Sequence, residues 1–311
     1  MTYTPRIAFD AGMARVERLY ALMDPCRLCP RACGARRRSG ETGFCGAGPV
    51  LKLASWNAHH GEEPPISGTR GSGTLFTSHC TLGCLFCQNF PFSQLHNGEE
   101  VCSERLVKVL TLLARRGVHN FNLVTPVHFI PQLLEGILRV RETGAVPPIP
   151  IVYNTSGYES LEVLELLDGL VDIWLPDIKY ADDAVALRLS RCADYVTHDR
   201  QALKAMFRMT DDGKLVLDEN GIATSGMIIR HLVLPERLSG TRASFEWLKS
   251  ELGTKVHISL MCQYFPAHQA HGKPPLDREI THDEYLEAIE TVETLGFENV
   301  LAQDPEDHGG A

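Results

Sequence analysis

Apolar residues recur along this chain with two periods, about 3.6 and about 2 residues, and from residue 71 onward segments of the two kinds alternate. Ahead of that region, Ala11, Val16, Leu19, Tyr20 and Leu22 share a broad face and predict a helix within residues 1–22. A strand is expected over residues 73–78, where Thr, Leu, Phe and Thr follow one another. Ser103 is expected to cap a helix that reaches Arg116 and ends at Gly117, with Leu106, Val109, Leu110, Leu112 and Leu113 among its apolar residues. Next come a strand at 121–124, a helix from about 131 to 143 closed by Gly144, a strand at 151–153, a helix near 161–167 and a strand at 173–175. Residues 181–208 read as helical, and residues 214–224, containing Asp218-Glu219-Asn220-Gly221, predict a small hairpin projecting from the main sheet. Strands at 227–234 and 256–260 bracket a helix near 243–252. Thr281 with Glu284 spells a capping box for a last helix that stops at Gly296.

Strands that alternate with helices imply parallel pairing through right-handed crossovers. Six strands counted from Gly73 predict an α/β fold, a partial (β/α)6 barrel of TIM type that is open on one side and has no internal repeat. The division that follows is a helix and cysteine-rich segment over 1–70, the barrel over 71–303 and a frayed tail over 304–311.

Composition narrows the chemistry. With 44% hydrophobic and 22% charged residues in 311, the chain has an ordinary globular make-up. No apolar run is long enough for a membrane span, and the opening MTYTPRIAFDAG lacks the apolar core of a secretion signal, so a cytoplasmic protein without a membrane partner is expected. Ten cysteines in such a chain point to metal or redox sites rather than disulfides. A net charge of -9 argues against a nucleic-acid partner, with Arg36-Arg37-Arg38 as a local basic patch.

The cysteines fall into two groups. Cys80, Cys84 and Cys87 place three soft thiolates within eight residues, one short of the closed four-ligand site that structural zinc prefers. On a cubane [4Fe-4S] cluster, three cysteines leave the fourth iron free for a non-protein ligand. The alternative for the same residues is zinc with His79 as fourth ligand, which would make the chain a non-catalytic zinc-binding module. Cys26, Cys29, Cys33 and Cys45 supply four thiolates that suit either tetrahedral zinc or a second Fe-S cluster. Between the groups, WNAHHGEEPPISGTR over 56–70 reads as a polar surface connection near the cluster mouth, including His59, His60, Glu62 and Glu63.

In parallel barrels the working residues gather at the C-terminal ends of the strands. Polar residues stand at those ends here: Thr125-Pro126-Val127-His128, Asn154-Thr155-Ser156-Gly157, Asp177 and Lys179, Arg230-His231, and Gln263-Tyr264. For Asp177 and Lys179 a buried structural ion pair is the alternative role. His231 is expected to face the barrel wall, Cys102 and Cys192 to be buried, and Cys262 to stand at the mouth.

The loop Cys80-x3-Cys84-x2-Cys87, with Phe86 before the last cysteine and Gln88-Asn89 after it, resembles the cluster loop of the radical S-adenosylmethionine (SAM) superfamily. Within it, the closest likeness is to the PflX-like branch related to the pyruvate formate-lyase activating enzyme. The run from Cys26 through Cys29-Pro30-Arg31-Ala32-Cys33 to Cys45 is similar to that branch's N-terminal cysteine segment. The resemblance implies a [4Fe-4S] cluster on Cys80, Cys84 and Cys87 whose open iron chelates SAM. It also implies reductive cleavage to methionine and a 5'-deoxyadenosyl radical, and hydrogen abstraction from a substrate. Phe86, Thr125, His128, Asn154, Ser156, Asp177, Lys179, Arg230 and Gln263 are then the expected SAM-site residues. Asn154 and Ser156 occupy ribose or carboxylate positions, and Asp177 with Lys179 matches the activators' fourth-strand Asp-x-Lys pattern. Thr125 to His128 departs from the Gly-Gly-Glu stretch that holds the SAM amino group in related activators. Asn97-Gly98-Glu99-Glu100 resembles that stretch but precedes the first barrel helix. The implied partners are a reductant such as flavodoxin or ferredoxin and a glycyl radical enzyme. The alternative substrate is a small molecule or peptide held between the barrel and the N-terminal cysteines.

Overall fold

The structure, a computed structural model, describes residues 3–304. The chain opens with α1 (Phe9–Ala21), then β1 (Lys52–His59), α2 (Pro64–Ser67), β2 (Ser72–Thr77), α3 (Phe90–Ser93), β3 (Glu99–Glu100) and α4 (Ser103–Arg115). It continues through β4 (Phe121–Val124), α5 (Ile130–Thr143), β5 (Ile151–Thr155), α6 (Leu161–Leu167), β6 (Ile173–Pro176), α7 (Asp183–Ser190) and α8 (Tyr195–Met209). The remaining elements are β7 (Val216–Leu217), β8 (Ala223–Leu232), α9 (Thr241–Leu252), β9 (His257–Met261), α10 (His282–Leu295) and β10 (Asn299–Ala302).

One sheet runs β10-β9-β8-β6-β5-β4-β2-β1-β3, with β7 added to β8. From β2 to β10 along that path every pairing is parallel. β1 on β2, β3 on β1 and β7 on β8 are antiparallel. No ladder joins β10 to β3 among the described residues, so the sheet forms a partial parallel barrel that stays open.

The period-2 pattern sorts the strand residues onto two faces. Tyr153, Trp174, Met227 and Ile229 join the large core that packs under the outer helices. Val152, Ile173, Leu175 and Ile228 instead surround Ile66 of α2 in a separate apolar cluster. Asn154, Asp177 and Arg230 each lie two residues further along the same inner face, so a polar layer sits directly above that apolar one. Outside, α4 buries Leu106, Val109, Leu110 and Leu113, the i, i+3, i+4, i+7 stripe of an amphipathic helix.

Several expectations need correction. The barrel has a seventh parallel strand, β10, formed by residues 299–302 just after Gly296; four residues are too few to show a period. The stretch expected as a surface connection holds the second half of β1 and all of α2. Its alternation in LKLASWNAH is that of a strand, and it pairs with β2 through His59 opposite Ser72. The helix expected over 181–208 is two helices that break at Arg191, which has a left-handed φ of 55°. Ser103 begins α4 rather than capping it, and Cys102 is exposed at the cap position. Both halves of the Thr281 and Glu284 capping box are present, and the hairpin at 214–224 forms as expected. Of the expected tail, residues 305–311 lie outside the described residues.

The register of α4 is open to a paired test. Leu110 is fully buried while Leu112 is 47% exposed. Leu110→Ala is expected to lower unfolding free energy by about 2–5 kcal/mol. Leu112→Ala should stay within about 0.5 kcal/mol of wild type in the same urea titration.

Candidate active site

β2 delivers the chain to the C-terminal rim of the barrel, and the loop that follows carries Cys80, Cys84 and Cys87. The end of α7 holds that loop in place. Gly83 N–H donates to Ser190 O at 3.0 Å and Leu85 N–H to Leu189 O at 2.8 Å. A continuing helix would hide those carbonyls behind its next turn, so the break at Arg191 frees them for the loop. Gln88 Nε2 donates to Gln263 O at 2.7 Å, tying the loop to the rim beyond β9. Phe86 packs edge-on against Tyr264.

Each of the three sulfurs has a hydrogen-bonding neighbour. Leu82 N–H lies 3.4 Å from Cys80 Sγ, Ser190 Oγ donates to Cys84 Sγ at 2.9 Å, and Cys87 Sγ lies 3.1 Å from Ser93 Oγ. Burial pushes the Cys84 thiol up to about 11 against the pull of the Lys179 charge, and raises Cys80 further. These thiols stay protonated until a metal displaces the proton, which is the coupling expected of a metal-binding thiol.

The three cysteines line a cavity of about 670 Å³ in the barrel mouth. Phe86, Thr125, Asn154, Ser156, Asp177, Lys179, Arg230 and Gln263 line it as well, so the strand ends converge with the cysteine loop on one space. His128 does not. β4 ends in a short helical turn that buries the ring, whose Nε2–H donates to Ser78 O at 2.7 Å. Burial pushes its pKa down to about 3, so it is a neutral wall residue and its expected place among the ligand contacts is corrected. His231 is buried between Ile178 O and the Thr241 hydroxyl, Cys192 is buried, and Cys262 is buried outside the cavity wall between Met261 and Gln263.

Arg230 organises the inner polar layer. Its Nε donates to Asp177 Oδ1 at 2.8 Å, its Nη2 to Asn154 Oδ1 at 2.5 Å, and its Nη1 reaches Glu62 Oε2 at 3.5 Å. Lys179 Nζ donates to the other Asp177 oxygen at 2.6 Å. Burial opposes ionisation of Asp177, but Arg230 and Lys179 together outweigh it and hold the carboxyl below its ordinary range. Asp177 and Lys179 are thus both a buried ion pair and cavity lining. Ser156 is followed by Gly157, whose φ of 82° and close neighbours, Asp199 Oδ1 and Asp177 O, leave no room for a side chain.

Glu62 and Glu63, grouped by sequence with a surface connection, line this cavity. Glu62 accepts from Asn122 Nδ2 at 2.8 Å, and burial raises its pKa. The available signal was the strand-like alternation before them: once β1 pairs antiparallel with β2, the residues after His59 must fold beneath the barrel. Leu301 and Ala302 at the end of β10, and Gln303 and Asp304 after it, also reach the cavity.

Cys26, Cys29, Cys33 and Cys45 lie outside the cavity wall. They are near one another: burial pushes Cys29 up to about 12, and charge on Cys45 or Cys26 would raise it further. Two contacts join this group to the barrel loop. His79 Nδ1–H donates to Cys45 O at 3.0 Å, immediately before Cys80. Arg31 Nε donates to Thr81 O at 2.6 Å while its guanidinium stacks 3.4 Å from the Phe44 ring centroid. Among the described residues no three His, Cys, Asp or Glu side chains are gathered to share a single metal ion. No helix among them is long and apolar enough to cross a membrane.

No protein-family model matches the chain. It is 27% identical over 293 residues, 91% of its own length and 79% of the relative's, to Uncharacterized protein MJ0674 of Methanocaldococcus jannaschii. Among solved structures it is similar to methylornithine synthase (PylB), with a TM-score of 0.48 at 14% identity, over 72% of this chain and 60% of that one. It is also similar to Streptococcus suis SuiB bound to S-adenosylmethionine, with a TM-score of 0.46 at 11% identity, over 72% of this chain and 48% of that one. Each of these alignments spans less than two thirds of the solved chain.

Removing the Arg230 charge leaves Asp177 with Lys179 alone and strands Glu62 in the barrel. Arg230→Met is expected to cost about 3–5 kcal/mol in urea unfolding. A loss below about 1 kcal/mol would mean that water screens the network as it does at a surface.

Proposed function

We propose that this protein is a radical SAM enzyme, which cleaves S-adenosylmethionine reductively and uses the resulting radical to abstract hydrogen from a substrate. The observation that carries the reading is the placement of Cys80, Cys84 and Cys87: three hydrogen-bonded sulfurs on a loop at the C-terminal end of the first parallel strand, lining the cavity onto which the other strand ends converge. A donor set of three thiolates facing open space suits a cluster with one iron left for a non-protein ligand. When bound, such a cluster supplies the single electron that breaks the sulfonium of SAM. The protein's residues hold and orient. Ser190, Ser93 and Leu82 N–H stabilise charge on the sulfurs, while Asn154, Ser156, Asp177 and Lys179 offer polar contacts to a nucleoside and an amino acid. Cys26, Cys29, Cys33 and Cys45 would hold a second Fe-S cluster beside this site, since they are not gathered to share a single ion, and an external one-electron donor such as flavodoxin or ferredoxin would serve it.

Two kinds of substrate fit this chemistry. Activation of a glycyl radical enzyme follows from the likeness of the cysteine loop to activating enzymes. Modification of a small molecule or peptide is favoured by the lining of the cavity, because a backbone glycine offers no charge to a wall that carries Asp177, Lys179, Arg230, Glu62 and Glu63.

The test is formation of 5'-deoxyadenosine by anaerobically reconstituted protein given SAM and dithionite. Cys84→Ala is expected to reduce it to background, while Cys29→Ala should leave a measurable fraction. Equal loss in two folded variants would contradict this division of labour between the cysteine groups.

A further inference from the structure

The cavity has a floor as well as a rim. β1 runs antiparallel to β2 and ends at His59, opposite Ser72 where β2 begins, whereas the cysteine loop follows the other end of β2. The turn from β1 into α2 therefore closes the barrel at the end away from the cysteines. Ile66 seals it by packing among Val152, Ile173, Leu175 and Ile228, and Glu62 and Glu63 stand above that seal on the cavity side.

The charges on this lining do not balance. Among the described residues of the wall, Lys179 and Arg230 are the cations, against the carboxylates of Glu62, Glu63, Asp177 and Asp304. His59 adds little compensation, because burial lowers its pKa. Both cations are engaged: Lys179 by Asp177, and Arg230 by direct contacts to Asp177, Asn154 and Glu62, with the charge of Glu63 acting on it at longer range. Glu63 is only 9% exposed, and its Oε2 is fully buried and accepts no hydrogen bond. A buried carboxylate oxygen without a donor is costly, and a ligand carrying N–H groups and positive charge relieves that cost.

We propose that Glu63, with Glu62 beside it, forms an anionic floor that binds a protonated amine or a guanidinium of the substrate. This rests on the radical SAM reading for what happens to the bound molecule, but not for the binding itself. The cationic group reaches the floor while the remainder of the substrate extends toward the cysteine rim. A free polyamine and the side chain of a lysine or arginine in a peptide present the same chemistry to this floor.

The experiment is an NMR titration of the reconstituted protein with three probes: 1,4-diaminobutane, a Gly-Lys-Gly peptide blocked at both ends, and the same peptide with its lysine acetylated. Wild type is expected to prefer a charged probe over the acetylated one by roughly ten-fold or more. Glu63→Gln should remove that preference and Glu63→Asp should retain part of it, with Glu290→Gln as the surface control. Preference for the diamine alone assigns a small amine, and binding of the lysine peptide assigns a peptide. Equal binding of charged and acetylated probes by wild type, binding of none of them, or an undiminished preference in Glu63→Gln would overturn the proposal. So would a large loss of SAM affinity in Glu63→Gln, since the carboxylate would then serve SAM. If Glu63→Gln does not fold, Glu62→Gln carries the comparison, and a preference equal to that of wild type overturns the proposal. Whether SAM perturbs the metal site is read separately on the same samples, so failure of the radical SAM reading is distinguishable from failure of the anionic floor.

Discussion

Arg230 ties the inner face of the barrel together. It stands on β8 and contacts Asp177 after β6, Asn154 on β5 and Glu62 below β1, so one guanidinium links two further strand ends with the floor. Its planar set of donors allows three partners at once, which a lysine ammonium on a flexible stem would not hold in fixed directions. The layer beneath it is apolar and the space above it is open. Water is displaced from one side only, and the charges become a polar floor under a cavity rather than a sealed core.

The cysteine rim depends on a different constraint, the unfinished ends of helices. α7 stops at Ser190, and its last carbonyls accept from the cysteine loop. The hydroxyl of the same serine donates to Cys84, so backbone and side chain of one residue fix both the loop and one of its sulfurs. His79 and Arg31 then bind the N-terminal cysteine segment to that loop. The two cysteine groups are thereby mechanically coupled whatever each holds.

Much of this was legible in the chain. The alternation of periods gave the parallel strands β2, β4, β5, β6, β8 and β9, and the polar residues at their ends line the cavity, with the exceptions of His128, His231 and Tyr264. His128 was misjudged because a strand end does not reveal which way the next turn rotates its side chains. β10 was missed because a four-residue strand carries too little pattern to separate from a loop. Glu62 and Glu63 were misplaced for a more instructive reason: Pro64-Pro65 and the nearby glycines signal a turn, but they do not say whether a turn lies outside the barrel or under it. That is decided by the antiparallel pairing of β1, a non-local contact. The Ser190 contact to Cys84 spans 106 residues and left no local mark at all.

The most direct measurement is iron, sulfide and zinc content together with EPR of the anaerobically reduced protein, with and without SAM. About four irons and four sulfides per chain, with a cluster signal that changes on adding SAM, are expected of the three-cysteine site, and about eight if the N-terminal cysteines hold a second cluster. Zinc alone, or a cluster signal indifferent to SAM, would contradict a radical SAM site on Cys80, Cys84 and Cys87.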